Sequence, residues 1–404
     1  MTTNGEGGST PRPLDGVRVL DLTRVMSGPY CTAMLADLGA EVIKVEMPGI
    51  GDTGRLFAPH IDGESAYFNM LNRGKQSITV QLKDPAGVEV IRDLIRCSDV
   101  LVENFRPGVM SRLGLDYPST GELRPELIYA SITGFGTEGP FAQLPAFDLV
   151  IQAMSGLMSI TGEREGRANA VGESLADVCT GMFAAWGIAA ALFERERTGK
   201  GQHLDVSMLD SVFSMLLTGL GRELHTEKPA RRVGNRHPET YPVDSFPTKD
   251  GDVVLVCFSD PTFLALVTVM ARPALADDPR FLGNPARNQH ENELREIISA
   301  WTSKHSQEHV LQSLRDAGVP CAPVWTLTDL IQSGLPQSRG MILDGTSTRL
   351  GAIHHVPQPV HFRGAPTPSG AVSPQLGEHT EEVLRRVLGY DTDRLADLKA
   401  GDVL

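Results

Sequence analysis

The sequence predicts an α/β fold built on a doubly wound parallel sheet, and two observations carry that expectation. Short β-branched runs alternate with segments of helical period from Val17 to Ile132. Several of the runs are followed by turn residues, at the ends where such sheets bind ligands. These turns are Ser27-Gly28-Pro29, Pro48-Gly49-Ile50-Gly51-Asp52, Asn104-Phe105-Arg106-Pro107-Gly108 and Thr133-Gly134-Phe135-Gly136.

Residues 17–22 read as a buried strand, 30–38 as a short helix, 41–46 as a second strand and 77–82 as a third. Residues 86–96 are amphipathic, because Val88, Val90, Ile91, Leu94 and Ile95 recur at helical spacing. Residues 99–104 and 127–132 supply two more strands. From Met182 to Phe193 the chain carries no charge, which predicts a helix buried on most sides. Asp177 stands at its mouth, in Gly172-Glu173-Ser174-Leu175-Ala176-Asp177. There the helix dipole favours the ionised carboxylate, and an ionised, partly desolvated carboxylate can act as a nucleophile. On these residues alone, capping of the helix is the stronger explanation of Asp177.

A chain of 404 residues exceeds one ordinary core, so two domains are expected. Residues 1–12 read as a loose polar tail and 13–227 as a large domain. Residues 228–248 read as a linker rich in Pro and Arg, and 249–325 as a smaller α+β domain. Residues 326–404 form a Pro-, Gly- and Ser-rich return segment that closes with a helix over 379–388.

Composition narrows the function. A net charge of -13 argues against a nucleic-acid partner but leaves room for a local basic pocket. Five scattered cysteines without a CxxC suggest neither a disulfide framework nor a zinc knuckle and fit a reducing cytoplasm. The start of the chain does not read as a signal peptide, and no apolar run reaches the ~18 residues of a membrane span. No GxGxxG follows the first strand, and neither GxxxxGK[ST] nor GxSxG occurs. His305-Ser306-Gln307-Glu308-His309 fits HxxEH, but it sits on a polar helix face without a third ligand. His354-His355 with His361 is a weaker metal signal in Pro-rich coil, so no metal is expected. Arg73, Lys75, Arg106 and Arg112 lie near strand ends, where a few cations suit a phosphorylated small molecule; each alone reads as surface charge.

Ordered motifs then accumulate: Leu14-Asp15-Gly16-Val17-Arg18-Val19-Leu20-Asp21, Gly28-Pro29, Leu38-Gly39-Ala40-Glu41-Val42-Ile43-Lys44-Val45-Glu46 and Leu71-Asn72-Arg73-Gly74-Lys75. Val102-Glu103-Asn104-Phe105-Arg106-Pro107-Gly108, Arg197-Thr198-Gly199-Lys200-Gly201-Gln202, Ala317-Gly318-Val319-Pro320 and Leu376-Gly377-Glu378-His379-Thr380 follow. Taken together the chain resembles the class III CoA-transferase family. That group includes formyl-CoA:oxalate, carnitine and dicarboxylate CoA-transferases and the 2-methylacyl-CoA racemases.

The resemblance implies a Rossmann-like large domain, a small domain, a C-terminal segment returning to the large one, and an interlocked-ring homodimer. It implies a CoA-transferase whose substrates are an acyl-CoA and a carboxylic acid, with neither nucleic acid nor membrane as partner. The family's nucleophilic aspartate lies four residues before a Gly-Met pair, and Asp177 falls there, ahead of Gly181-Met182. Its carboxylate would form an aspartyl–acyl anhydride and then an aspartyl-CoA thioester. Lys75, Asn104, Phe105 and Arg112 fall on positions that hold CoA, and Ser27, Leu71 and Gly136 are expected contacts beside them. Met26 and Met47 fall on further CoA positions and can only pack against the adenine or pantetheine. Backbone N–H groups near Gly136 and Gly181 are expected oxyanion donors.

Two departures sharpen the reading. The family's glycine-rich loop is replaced by Leu255-Val256-Cys257-Phe258-Ser259-Asp260-Pro261-Thr262, so shielding of the anhydride must come from elsewhere. The racemase branch places a His next to an Asp; here the pair is Phe147-Asp148, and Phe147 takes no proton. Asp148 then reads as a cap of the helix after it. A non-catalytic CoA-binding protein would carry a neutral residue at 177. Arg222, Arg231, Arg232 and Arg236 either face the far carboxylate of a dicarboxylate acceptor such as succinate, mesaconate or itaconate, or are linker surface charge.

Overall fold

The computed structural model describes residues 11–347, 351–366 and 372–404. Most of the expected tail, and parts of the Pro-rich return around 348–350 and 367–371, lie outside the described residues. The chain divides into two units. Unit 1 runs to Leu157, resumes over Val171–Leu217 and returns at Pro336–Leu404; unit 2 is Met158–Ala170 with Thr218–Leu335.

Unit 1 opens with β1 (Arg18–Asp21), α1 (Ser27–Asp37) and β2 (Glu41–Glu46). A small hairpin, β3 (His60–Ile61) with β4 (Glu64–Ser65), leads to α2 (Ala66–Asn72). Next come β5 (Gln76–Thr79), α3 (Pro85–Arg96), β6 (Val100–Glu103), α4 (Val109–Leu113), α5 (Tyr117–Leu123), β7 (Ile128–Thr133) and α6 (Asp148–Met154). α7 (Leu157–Ile160) crosses into unit 2. Back in unit 1 lie α8 (Leu175–Thr198), β8 (Gln202–Ser207) and α9 (Met208–Met215).

Six strands form one parallel sheet in the order β5-β2-β1-β6-β7-β8, with Leu20 opposite Ile43 and Leu101. The order reverses between β1 and β6, so a crevice is expected beyond Asp21 and Glu103, where ligands bind in such sheets. β1, β2, β6 and β7 are buried almost throughout because both faces are covered, whereas the edge strand β8 alternates partly buried and exposed residues. Leu20, Ile43, Ile78 and Leu101 pack under Val90, Ile91, Leu94 and Ile95 of α3. Val19, Val42, Val100 and Ile128 pack under Cys31 and Leu35 of α1 and Ala184 and Ile188 of α8.

Unit 2 holds α10 (Leu217–His225), β9 (Val243–Pro247), β10 (Asp252–Val256), α11 (Asp260–Val269), α12 (Gly283–Gln289), α13 (Glu291–Thr302), α14 (Gln307–Asp316), β11 (Cys321–Pro323) and α15 (Leu327–Gln332). Its antiparallel sheet runs β11-β10-β9 over a core of Phe246, Leu255, Phe263, Phe281 and Leu294. The sequence reading placed 243–247 in a linker and 218–227 in the large domain. In the fold 243–247 is a sheet strand, and 218–227 belongs to unit 2.

The return segment is not structureless. It holds α16 (Leu335–Ser338), a hairpin of β12 (Leu343–Ser347) and β13 (Gly351–His355), α17 (Thr380–Leu388) and α18 (Thr392–Ala400). It covers the edge strand β5, as exposed edges require. Gly377 N–H donates to Ser77 Oγ at 2.9 Å, and His379 N–H to the Ser77 carbonyl at 2.9 Å. α8 also departs from expectation, because only one side of it is buried. Met182, Phe183, Trp186 and Phe193 form an exposed apolar side, Trp186 being 71% exposed. Among the described helices α8 alone is long and apolar enough to cross a membrane, but half of that stretch is buried within the fold.

Candidate active site

The site is assembled at the β1–β6 switch point. The loop after β1 runs Leu22-Thr23-Arg24-Val25-Met26 into α1. Val25 has φ +71°, a left-handed conformation that is strained for a β-branched residue. Neighbours on both sides hold it. Asp52 Oδ1 accepts the Val25 N–H at 3.0 Å and the Gly54 N–H at 2.9 Å. Asn104, just past β6, accepts the Arg24 N–H at 2.9 Å and donates to the Arg24 carbonyl at 2.8 Å.

This loop ends at Ser27, the first residue of α1. α8 approaches it through Gly181: a Cβ there would lie 2.6 Å from the Ser27 carbonyl oxygen. Only glycine permits that approach, and one turn earlier on α8 stands Asp177. The Ser27 hydroxyl and backbone N–H lie close enough to the Asp177 carboxylate to favour its ionised form. The latter N–H is one of the unpaired donors at the α1 N-terminus.

Asp177 is the third residue of its helix and does not cap it. The N-cap, Ser174, makes no side-chain cap hydrogen bond. The cap comes from Asp148, whose Oδ1 accepts the Ala176 N–H at 2.7 Å and the Asp177 N–H at 3.4 Å. Its Oδ2 accepts from Gln152 Nε2 at 2.7 Å. Asp148 is thus the first residue of α6, with Phe147 as that helix's N-cap, and it caps α8, not the helix after it as the sequence suggested. Burial pushes the Asp177 carboxyl up to about 6, and the Asp148 carboxylate adds to this against the pull of Ser27. The helix dipole was expected to favour ionisation, but desolvation outweighs it.

Asp177 lines a cleft of about 270 Å³ together with Met26, Ser27, Asn104, Phe105 and Phe147. An adjoining cleft of about 370 Å³ lies beyond the ends of β1, β2, β5 and β6, with Leu22, Val45, Met47, Val80, Leu82 and Phe105 on its walls. Arg24, Phe105 and Arg106 border both clefts. Arg24 lies over the Phe105 ring at 4.6 Å. Arg24, Lys83 and Arg106 are exposed at the rim of the apolar cleft, and among the described residues none pairs with a carboxylate. Arg24 and Lys83 were missed in the sequence; their signal is position, directly past the carboxyl ends of β1 and β5.

Several expected contacts lie elsewhere. Lys75 is fully buried, and its three N–H groups go to Asp21 Oδ2 at 3.0 Å, the Pro29 carbonyl at 2.9 Å and Asn72 Oδ1 at 2.9 Å. No donor is left for a ligand, so Lys75 belongs to the scaffold. Arg73 is likewise buried against Asp37. Leu71 is core. Arg112 is exposed outside both linings, although Val109 and Leu113 beside it on α4 line the apolar cleft. The Gly136 N–H is spent on Thr133 Oγ1 at 2.8 Å, and the Gly181 N–H lies inside α8. Neither is an oxyanion donor; the Ser27 N–H is the better placed group. In unit 2 the segment standing for a glycine-rich loop ends β10 and caps α11 through Ser259. Among the described residues no three His, Cys, Asp or Glu converge as metal ligands.

The chain was compared with known proteins. The model of CoA-transferase family III matches residues 14–380. The acetyl-CoA:oxalate CoA-transferase of Acetobacter aceti is 44% identical over 82% of this chain and 85% of its own length. The succinate–glutarate CoA-transferase of Agrobacterium fabrum is 40% identical over 92% of this chain and 95% of its own. The crystal structure of a CAIB/BAIF family protein from Brucella suis superposes with a TM-score of 0.84 at 36% identity, covering 94% of this chain and all of that one.

Proposed function

The chain belongs to CoA-transferase family III, and from that premise we propose that it moves CoA from an acyl-CoA donor to a dicarboxylic acid through covalent intermediates on Asp177. The observation that carries this is the placement of Asp177. It is a half-buried carboxylate at the mouth of two converging helices, opening on a cleft that adjoins an apolar, cation-rimmed one.

The steps balance without an added reagent. The Asp177 carboxylate attacks the donor thioester carbonyl and expels CoA thiolate, leaving an aspartyl–acyl anhydride. The thiolate attacks the aspartyl carbonyl, forming an aspartyl-CoA thioester and releasing the donor acid. The acceptor carboxylate attacks that thioester, and the freed thiolate then takes the acceptor acyl group and restores Asp177. The Ser27 N–H and hydroxyl stand where oxyanion charge develops on the Asp177 oxygens. Met47, Leu82 and Phe105 suit the adenine or pantetheine, and Arg24, Lys83 and Arg106 suit the phosphates. A dicarboxylate acceptor is supported by the two relatives, whose names carry oxalate and glutarate. Racemisation is disfavoured, because Phe147 lines the cleft where a second base is needed.

We also infer a homodimer, of the interlocked kind the resemblance implies. Phe147 at the cap of α6, Leu149 and Met154 on α6, and Trp186 and Phe193 on α8 are exposed, an apolar surface beyond what a monomer keeps in water.

The test is intact-protein mass spectrometry after incubation with succinyl-CoA and hydroxylamine. A hydroxamate on Asp177, absent from Asp177→Ala, is expected. Its absence with succinyl-, acetyl- and formyl-CoA alike would overturn the covalent reading.

A further inference from the structure

Unit 2 contains a cavity of about 850 Å³ that the proposed chemistry does not use. Six cationic side chains line it: Arg164, Arg222, Lys228, Arg231, Arg232 and Arg236. Four come from one nine-residue run, Lys228-Pro229-Ala230-Arg231-Arg232-Val233-Gly234-Asn235-Arg236. In a chain of net charge -13 this is a local reversal of sign.

The carboxylates nearby do not balance it. Arg222 meets Glu239 at 3.3 Å, and Arg164 and Arg236 both bond Glu291. Glu165 is the other acid in the lining. Six cations thus share the lining with two acids, Glu165 and Glu239, while Glu291, Glu163 and Glu223 stand behind it. Lys228, Arg231 and Arg232 have no carboxylate partner among the described residues. The Arg232 guanidinium is set by the carbonyls of Ser159 at 3.2 Å and Gly166 at 3.0 Å. The Nε–H groups of Arg232 and Arg236 are buried without a partner among the described residues.

Like charges crowded within about a Debye length, ~8 Å at physiological salt, repel. Buried guanidinium N–H groups without acceptors are costly as well. An anion with forked oxygens entering the cavity offsets the crowding of like charge, because guanidinium matches carboxylate or phosphate through paired hydrogen bonds. We propose that this cavity is a binding site for a small oxyanion carrying two or three negative charges, a di- or tricarboxylate or a phosphate. Asn284 and Asn288 of α12 add amide groups to the lining. The site lies wholly within unit 2 and does not depend on the role of Asp177.

The test is isothermal titration of the full chain with pyrophosphate and, separately, with citrate. CoA is kept saturating so that its own phosphate contacts are filled. One saturable anion site per chain is expected, weakening as salt is raised. Lys228→Gln/Arg231→Gln removes two exposed, unpartnered cations and should weaken the preferred probe about tenfold, while CoA affinity stays at the wild-type value. Arg231→Lys should fall between the two. Pyrophosphate and citrate separate the phosphate from the carboxylate source. If neither probe binds once CoA is present, or if the double variant binds as the wild type does, the site does not exist.

Discussion

Asp21 and Asp177 stand on either side of the same loop and end in opposite electrostatic states. Burial alone would raise both. Asp21 faces Lys75 and Lys44 and takes hydrogen bonds from Thr23 and Thr32, and it is pulled down to about 2. Asp177 faces another carboxylate, that of Asp148, and is pushed up to about 6. Below the loop three buried or half-buried cations have carboxylate partners: Lys75 with Asp21, Lys44 with Asp52, and Arg55 with Glu46. At its mouth the charge is deliberately short of one. Groups that are fully paired hold a shape, and groups that are underpaired hold reactivity.

The comparison breaks most violently if a scaffold pair is cut. Lys44 Nζ bonds Asp52 Oδ2 at 2.9 Å and the Thr23 carbonyl at 2.9 Å, with both side chains buried. Lys44→Met should remove about 3 kcal/mol of stability, because it strands the Asp52 carboxylate in the interior. Urea unfolding at pH 7 measures this, and an unchanged midpoint would mean that the pair contributes nothing. The same Asp52 holds the Val25 N–H, so turnover should fall in the folded fraction as well.

That double duty marks the limit of what the sequence shows. The strand pattern is legible where strands are buried on both faces and read as apolar runs; the edge strand β8, Gln202–Ser207, alternates polar and apolar residues with His203 and Asp205 exposed, and the sequence reading passed over it. Asp177 is singled out by its motif, and in the fold it lines a cleft. Lys75 is not: a lysine beside a strand suits phosphate and core equally, and only the fold reveals Asp21, Pro29 and Asn72 around its ammonium. Asp148 was taken for a cap of its own helix, because the helix it serves starts 27 residues later in the chain. α8 was expected to be buried because composition does not distinguish a core helix from one that leaves an apolar face exposed.

A milder change sharpens the contrast between the two aspartates through stability. The Asp21 pKa lies below its ordinary 3.8, so its contribution is present above about pH 4 and is lost as pH falls toward 2. Asp177 has the opposite sign. Its folded pKa is raised, so the native state holds its proton more tightly, and stability is lost as pH rises from about 4 through about 6. Asp177→Asn should therefore be more stable than the wild type at pH 7.5, by about 1 kcal/mol after allowance for its partial exposure. At pH 4 the difference should close. Thermal melts at both pH values decide it; equal stability at pH 7.5 would show that the site stores no strain in this carboxylate.

The smallest effect isolates the Asp148 charge from its hydrogen bonds. Asp148→Asn keeps an oxygen for the Ala176 N–H but removes the neighbouring negative charge. The proposed mechanism requires ionised Asp177, so kcat/KM in the wild type should fall as pH drops through about 6. In Asp148→Asn that acid limb should move down by about half a pH unit, since one like-charge neighbour is gone while burial stays. KM for the acyl-CoA should hold, because Asp148 lies outside both cleft linings. A drop in kcat at every pH with an unmoved acid limb would instead make Asp148 a cap and nothing more. The raised carboxyl of Asp177 would then rest on burial alone.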